Sequence, residues 1–188
     1  FAIYDFDDLA RLDLPWWTFD AVEAIEDFLA DRPGARVFEW GSGASTLWLS
    51  KRAGEVVSVE HDPQWSAMVG GRLSAMQNVR LRHVPAQGTG RIASRKPGFA
   101  GQFFDRYVAS IREETGLFDL IVIDGRAREA CLTEAAARLA PGGVILLDDF
   151  KRGRYRAAAR DSGLATRALD GLAVCLPLPD STAILSRV

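Results

Sequence analysis

The stretch Val37-Phe38-Glu39-Trp40-Gly41-Ser42-Gly43-Ala44-Ser45-Thr46 decides the fold of this chain of 188 residues. Its pattern indicates a short β-strand, a glycine-rich turn and the beginning of an α-helix. Gly41 and Gly43 have no Cβ, so the backbone can turn sharply there and approach a ligand closely. The helix that follows points its N-terminus at the same place. The stretch therefore predicts a ligand site at the end of the first strand of a parallel sheet.

Apolar runs bounded by turn residues alternate with helical patterns along the rest of the chain, which is typical of βαβ units and a parallel sheet. We predict strands over residues 36–39, 56–60, 79–84, 118–124, 144–147, 172–176 and 182–185. The last two are too close together for a crossover connection, so we expect them to pair antiparallel. The predicted fold is a single Rossmann-like α/β domain over residues 1–188, with helices on both faces of the sheet.

Two segments lie outside this alternation. Residues 1–34 contain a helical pattern that begins after Thr18 and ends at Pro33-Gly34, and we expect them to form an N-terminal helical cap. Residues 86–102 are rich in glycine and basic residues and show no periodicity. Because long irregular segments inside compact domains are usually functional or mobile, we expect this loop to be a lid or an acceptor-binding element.

The overall composition guides the choice of partners. The chain has 23 basic and 25 acidic residues, a formal net charge of -2. Since binding to phosphates needs a basic footprint, we expect no nucleic-acid partner and a small-molecule substrate instead. No apolar run approaches the roughly 20 residues that span a bilayer, so we expect no membrane partner. Cys131 and Cys175 are predicted to be buried free thiols, which favours a cytoplasmic protein; the oligomeric state stays open.

Acidic residues follow several of the predicted strands, where a parallel sheet places its ligands. They are Glu39, Glu60, Asp124, Asp148 and Asp149. A carboxylate at Glu39, just before the glycine turn, would repel a pyrophosphate and suit a cationic ligand such as S-adenosylmethionine. The dinucleotide fingerprint also expects a third glycine where this chain has Thr46. Glu60 is placed to accept hydrogen bonds from ribose hydroxyls.

In these motifs the chain resembles the class I S-adenosylmethionine-dependent methyltransferases. The stretch quoted above is similar to their first motif, Val57-Ser58-Val59-Glu60-His61-Asp62 to their acidic second motif, and residues 119–124 and 141–144 to the motifs of the fourth and fifth strands. The match covers about residues 35–150. It implies a mostly parallel seven-stranded sheet with a reversed last strand, and S-adenosylmethionine as the cofactor. The cofactor-binding set that it implies is Glu39, Gly41, Ser42, Gly43, Ser45, Thr46, Glu60, His61, Gln87 and Asp124.

The acids after the fourth and fifth strands have two interpretations. Asp124, Asp148 and Asp149 form the predicted catalytic set, and they resemble the acids that hold a divalent metal in catechol-type O-methyltransferases. That family has Asn in place of Asp149, and its general-base Lys would fall near Ala127, so metal binding is not favoured. In the alternative, Asp124 helps to seat the cofactor, and the other two acids cap the next helix or meet nearby arginines.

Basic residues begin at the same sheet edge, namely Arg126, Arg128, Lys151, Arg152, Arg154 and Arg156. Guanidinium groups recognise carboxylates and phosphates, so these residues indicate an anionic acceptor unless they neutralise the neighbouring acids. The resulting hypothesis is methyl transfer from S-adenosylmethionine to an oxygen or nitrogen of a small molecule. Two alternatives stay open, a catalytically silent S-adenosylmethionine-binding domain and, less favoured, an NAD-binding oxidoreductase.

Overall fold

A seven-stranded sheet with strand order β3-β2-β1-β4-β5-β7-β6 forms the centre of the computed structural model, which describes residues 6–176 and 178–188. Strands β1 to β5 run parallel, and β7 runs antiparallel to both β5 and β6. This confirms the predicted Rossmann-like α/β fold with a mostly parallel sheet. The strands are β1 (Arg36–Trp40), β2 (Glu55–Glu60), β3 (Val79–His83), β4 (Phe118–Ile123), β5 (Leu139–Leu147), β6 (Ala165–Leu172) and β7 (Pro179–Ser186).

Helices cover both faces of the sheet. They are α1 (Phe6–Leu12), α2 (Phe19–Ala30), α3 (Ala44–Ser50), α4 (Pro63–Leu73), α5 (Asp105–Ala109), α6 (Arg128–Arg138) and α7 (Gly153–Asp161), with a 3₁₀ turn at Ser110–Glu113. Alternate residues of each strand point to opposite faces: Val37 of β1 packs with α2 and α3, whereas the adjacent Phe38 packs with α5 and α6. Burial on both faces explains why β4 is almost continuously apolar.

The largest departure from the predicted elements is at the sheet edge. A strand was predicted over 172–176, but the observed strand β6 occupies Ala165–Leu172. It therefore ends at the residue where the predicted strand begins. Most residues of β6 are exposed, and within the described residues the strand pairs with β7 alone. Its polar sequence therefore lacks the apolar alternation on which the prediction relied. After β6, the chain instead forms an isolated bridge between Ala173 and Thr18.

The predicted N-terminal cap contains α1 and α2, and its residues 1–5 lie outside the described residues. Cys131 and Cys175 are buried free thiols, as predicted. In the part of the chain that the structure describes, no helix is both long enough and apolar enough to cross a membrane.

Candidate functional site

A cavity of about 1190 Å³ opens at the carboxyl ends of β1, β2, β4 and β5, which the strand order places next to one another. Two sets of residues at the sheet edge line most of it, and further parts of its wall come from the N-terminal cap and the chain near β6 and β7, namely Phe6, Leu9, Trp16, Ala173, Cys175, Leu176 and Asp180. The β1–β2 side consists of residues 41–45, 60–62 and 65, and the β4–β5 side of residues 124–130, 148–149, 152 and 154–155. Side chains of the loop 86–102 lie over both sides, among them Phe99.

The glycine turn after β1 packs against the turn after β4. Gly41 has a φ of 98°, and a Cβ on it would lie 2.6 Å from the backbone nitrogen of Gly125. A Cβ on Gly125 would in turn lie 2.0 Å from the hydroxyl of Tyr107. Both turns therefore need glycine. Gly125 was not predicted from the sequence, because nothing near it in the chain shows that another backbone passes so close.

Glu39 lies beneath the glycine turn and does not line the cavity. Its side chain is fully buried, and its carboxyl accepts hydrogen bonds of 2.5 Å from the hydroxyls of Ser45, Thr46 and Ser58. Burial raises the pKa of Glu39 to about 7, although the three hydroxyls act in the opposite direction. This corrects the prediction that Glu39 faces the ligand. The carboxyl instead ties the first turn of α3 to β2.

Thr46 is also fully buried and is absent from the cavity wall. Its hydroxyl accepts a hydrogen bond of 3.0 Å from the backbone N–H of Gly43 and donates to Glu39. The predicted contact between Thr46 and a ligand is therefore corrected to a capping role. Ser45 does reach the cavity wall, with its hydroxyl directed at Glu39.

Glu60 ends β2 inside the cavity. Its Oε1 accepts hydrogen bonds from the backbone N–H groups of His61 at 2.7 Å and Asp62 at 2.8 Å. Its Oε2 lies 3.3 Å from the hydroxyl of Ser42, which is a long contact. The indole of Trp65 donates a 2.6 Å hydrogen bond to the Ser42 carbonyl and so links α4 to the glycine turn. The structure thus brings together the predicted residues Ser42, Glu60 and His61.

Gln87 belongs to the base of the loop rather than to the cavity. Its backbone pairs with that of Phe103, and its side-chain oxygen accepts a 3.0 Å hydrogen bond from the N–H of Arg106. The carboxyl of Asp105 accepts from the N–H groups of Arg91 and Ile92. The predicted cofactor contact of Gln87 is therefore corrected. These bonds close the loop at its base.

On the β4–β5 side, three acids surround one guanidinium. Arg128 is nearly buried, and its nitrogens lie 2.8 Å from Asp124, 3.5 Å from Asp148 and 3.3 Å from Asp149. Desolvation and repulsion from Asp148 raise the pKa of Asp124 despite the opposing effect of Arg128. Desolvation likewise raises the pKa of Asp148, whose Oδ1 accepts a 2.9 Å hydrogen bond from Thr182.

This arrangement does not fit a divalent metal. The guanidinium of Arg128 contacts all three acids that would have to be ligands. No group of three metal-ligating side chains is assembled anywhere in residues 6–176 and 178–188. The geometry matches the alternative in which these acids meet a nearby arginine.

Comparison with known proteins gives a family match. A family model described as a methyltransferase domain matches residues 38–150. No curated protein matches the chain.

Several solved structures share the fold. An O-methyltransferase from Bacillus cereus in complex with SAH is 17% identical, with a TM-score of 0.67 over 96% of this chain and 89% of that one. The precorrin-6y C5,15-methyltransferase from Geobacter metallireducens is 16% identical, with a TM-score of 0.60 over 89% and 88%. An rRNA methylase from Streptococcus thermophilus is 14% identical, with a TM-score of 0.60 over 89% and 96%. At these identities the likeness shows the fold.

The rRNA methylase overturns one prediction. The expectation of no nucleic-acid partner was wrong, since a protein described as acting on RNA carries this same fold. The physical error lies in the use of a net charge of -2, which is a sum over the whole chain. Local potentials at a cavity depend on which charges face it and are not visible in that sum.

Proposed function

This chain belongs to the family of methyltransferase domains, and we propose that it transfers the methyl group of S-adenosylmethionine to an oxygen or nitrogen of a small acceptor. One observation carries the proposal. The glycine turn and Glu60, which suit the cofactor, open into the same cavity as the charged groups at the ends of β4 and β5.

The β1–β2 side is the proposed cofactor site. The backbone of Gly41 and Gly43 is free of side chains and would approach the methionine part closely. Glu60 presents Oε2, whose only hydrogen bond within the described residues is the long one to Ser42, to the ribose hydroxyls. His61 and Trp65 line the adjoining wall, where they would contact the adenine.

The β4–β5 side is the proposed acceptor site. Methyl transfer is an in-line displacement in which a lone pair of the acceptor attacks the methyl carbon, and the carbon–sulfur bond breaks to leave S-adenosylhomocysteine. The protein contributes mainly by aligning the two reactants and excluding water. In this proposal the loop 86–102 acts as the lid that excludes water.

Asp124 is the proposed general base among the three strand-end acids. It lines the cavity directly beside Gly41, so it stands at the boundary between the two sides. Desolvation and repulsion from Asp148 raise its pKa, which makes its carboxylate a stronger base than that of an ordinary aspartate. Asp148 and Asp149 would hold Arg128 and thereby orient Asp124.

Calorimetric titration with S-adenosylhomocysteine and with NAD tests the cofactor. We expect the first to bind and Glu60→Gln to weaken it by about 10- to 100-fold, the range for loss of hydrogen bonds to a charged group. Glu23→Gln, which removes an exposed carboxylate on α2, is the matched control and should bind normally. Binding of NAD without binding of S-adenosylhomocysteine would overturn the proposal in favour of an oxidoreductase.

Turnover of S-adenosylmethionine labelled in its methyl group tests the chemistry. The acceptor pools are small carboxylic acids, phosphate esters, amines and RNA. Asp124→Asn should keep the affinity for S-adenosylhomocysteine and lose most of the turnover. Transfer to RNA alone would refute a small acceptor, and cofactor binding without transfer to any pool would identify a catalytically silent domain.

A further inference from the structure

Two cations share one aromatic ring at the boundary between the loop 86–102 and the β4–β5 side. The guanidinium carbon of Arg126 lies 4.7 Å from the ring centroid of Phe99, and the ammonium of Lys96 lies 5.9 Å from the same centroid. All three residues line the cavity. We call them the Arg126 cluster.

The two cations of the Arg126 cluster differ from the arginines at positions 128, 152 and 154 on the β4–β5 side. Arg128 is surrounded by acids, Arg152 lies 3.0 Å from Asp149, and Arg154 lies 3.3 Å from Glu129. Across residues 6–176 and 178–188, by contrast, no carboxylate lies within 4 Å of Arg126 or Lys96. Neither side chain therefore forms an ion pair within the described residues, and the nearest acids act on them only from a distance.

The two terminal Nη groups of the Arg126 guanidinium can donate hydrogen bonds to a ligand. Its Nε lies 3.4 Å from Nε2 of His61, a long contact that directs the inner edge of the guanidinium towards that ring. The two Nη groups have no hydrogen-bond partner among the described residues. This planar pair of N–H donors matches the spacing of two oxygens on a carboxylate or phosphate.

The position of the cluster is fixed from both ends. Arg126 follows Gly125, whose backbone is packed against Gly41. Phe99 contacts the ring of His61 at 5.7 Å and that of the fully buried Phe104 at 6.2 Å. Arg126 and the Phe99 ring are therefore held before a ligand arrives, whereas Lys96 is exposed and its ammonium lies near the ring without an ion pair among the described residues. Preorganisation of Arg126 lowers the entropic cost of binding.

The cations also repel one another. Arg126 is the largest cause of a lowered pKa at Lys96, and Arg152 and Arg128 contribute in the same direction, with Asp149 opposing them. Burial lowers the pKa of Arg126. An anion placed between these groups would relieve the repulsion.

We propose that Arg126 and Lys96 bind one oxyanion of the methyl acceptor, a carboxylate or a phosphate monoester, and thereby hold the loop 86–102 over it. Since Lys96 and Phe99 belong to the loop and Arg126 to the sheet edge, a bound anion bridges the two. This assignment rests on the proposed function for its acceptor, but the anion site itself can be tested without the cofactor.

Titration of the full chain with benzoate, inorganic phosphate and a short RNA tests the site, with and without saturating S-adenosylhomocysteine. At least one small anion should bind, and Arg126→Gln should weaken it by about tenfold or more. Lys96→Gln should also weaken it, while both variants keep their affinity for S-adenosylhomocysteine. Arg106→Gln, which removes an exposed arginine outside the cavity wall, is the matched control and should behave as the wild type.

Two further, more conservative variants distinguish loss of the anion site from misfolding of the chain. Arg126→Lys keeps the charge but not the fork, and it should retain more affinity than Arg126→Gln. Phe99→Leu keeps both charges but removes the ring, and it should weaken the anion by about two- to fivefold.

The outcomes separate the two proposals. Equal anion binding by the wild type and Arg126→Gln, or no binding of either small anion, overturns the anion site. An equal loss of S-adenosylhomocysteine by Arg126→Gln also overturns it, because the arginine would then serve the carboxylate of the cofactor. Dependence of RNA binding alone on Arg126 refutes the small acceptor. Anion binding without any binding of S-adenosylhomocysteine leaves the site in place and refutes the proposed cofactor.

Discussion

The acids near the two sides of the cavity are held in different ways. Near the β1–β2 side, three hydroxyls donate to Glu39 beneath the glycine turn, and two backbone N–H groups donate to Glu60 in the cavity wall. On the β4–β5 side, three acids share the guanidinium of Arg128. Neutral donors from neighbouring segments fix the first side locally. The second side depends on full charges, so removal of one charge should disturb it far more.

Arg128→Met should produce the largest effect. Removal of the guanidinium leaves three acids close together and partly desolvated, and breaking a buried ion pair from one side costs about 4 kcal/mol of unfolding free energy. Urea unfolding at pH 7 measures this loss. The variant should regain stability as the pH falls from 7 to 5, because Asp124 and Asp148 would then bind protons more readily in the folded than in the unfolded state.

Arg112→Met is the control for this experiment. It removes an exposed guanidinium from an ion pair with Glu134, and surface pairs contribute about 0–1 kcal/mol. If both arginine variants lost the same small amount, the contrast between the two sides of the cavity would be wrong.

Glu39→Gln should produce the next largest effect, visible in its pH dependence. The folded pKa of about 7 lies above the ordinary value of 4.5, so the folded state binds more protons between these values. The wild type should therefore lose about 3 kcal/mol of stability from this group as the pH rises from 4 to 8. Glu39→Gln lacks that loss, so its stability relative to the wild type should rise over the same range. A difference that stays constant with pH would contradict the raised pKa.

Trp65→Phe should produce the smallest effect. It removes the hydrogen bond from the indole to the Ser42 carbonyl and keeps an aromatic ring. One neutral hydrogen bond contributes about 1 kcal/mol, so we expect a loss of about fivefold in affinity for S-adenosylhomocysteine. Trp48→Phe, on the other face of α3 and remote from the cavity, should leave the affinity unchanged. A large loss of stability in Trp65→Phe would show that α4 supports the fold rather than the turn alone.

The sequence predicted the β1–β2 side better than the β4–β5 side. The glycine turn and Glu60 are encoded by contiguous stretches, so local pattern was enough to find them. The role of each carboxylate was harder to predict, because a carboxylate in a strand can either point at a ligand or be buried and hydrogen-bonded to hydroxyls. Glu39 proved to be buried.

What the sequence did not show depends on contacts between distant segments. Gly125 was not predicted, because it is required by the backbone of Gly41. Arg126 was predicted as a candidate for binding an anion, but its contact with Phe99 of the loop 86–102 was not. No spacing rule links such positions. The edge strand β6 was misplaced for a related reason, because its exposed residues carry no apolar period.

The closed base of the loop 86–102 has a consequence for divergence among related chains. The backbone pairing of Gln87 with Phe103 and the hydrogen bonds to Asp105 hold the two ends of the loop together. Changes in the outer part of the loop are therefore not transmitted to the strands of the sheet. The residues beyond that base, 94–101, can therefore change in length and sequence without altering strand register. Exchange of this tip between homologues should transfer acceptor preference, and the cofactor site should be least disturbed where the incoming tip keeps an aromatic ring in contact with His61.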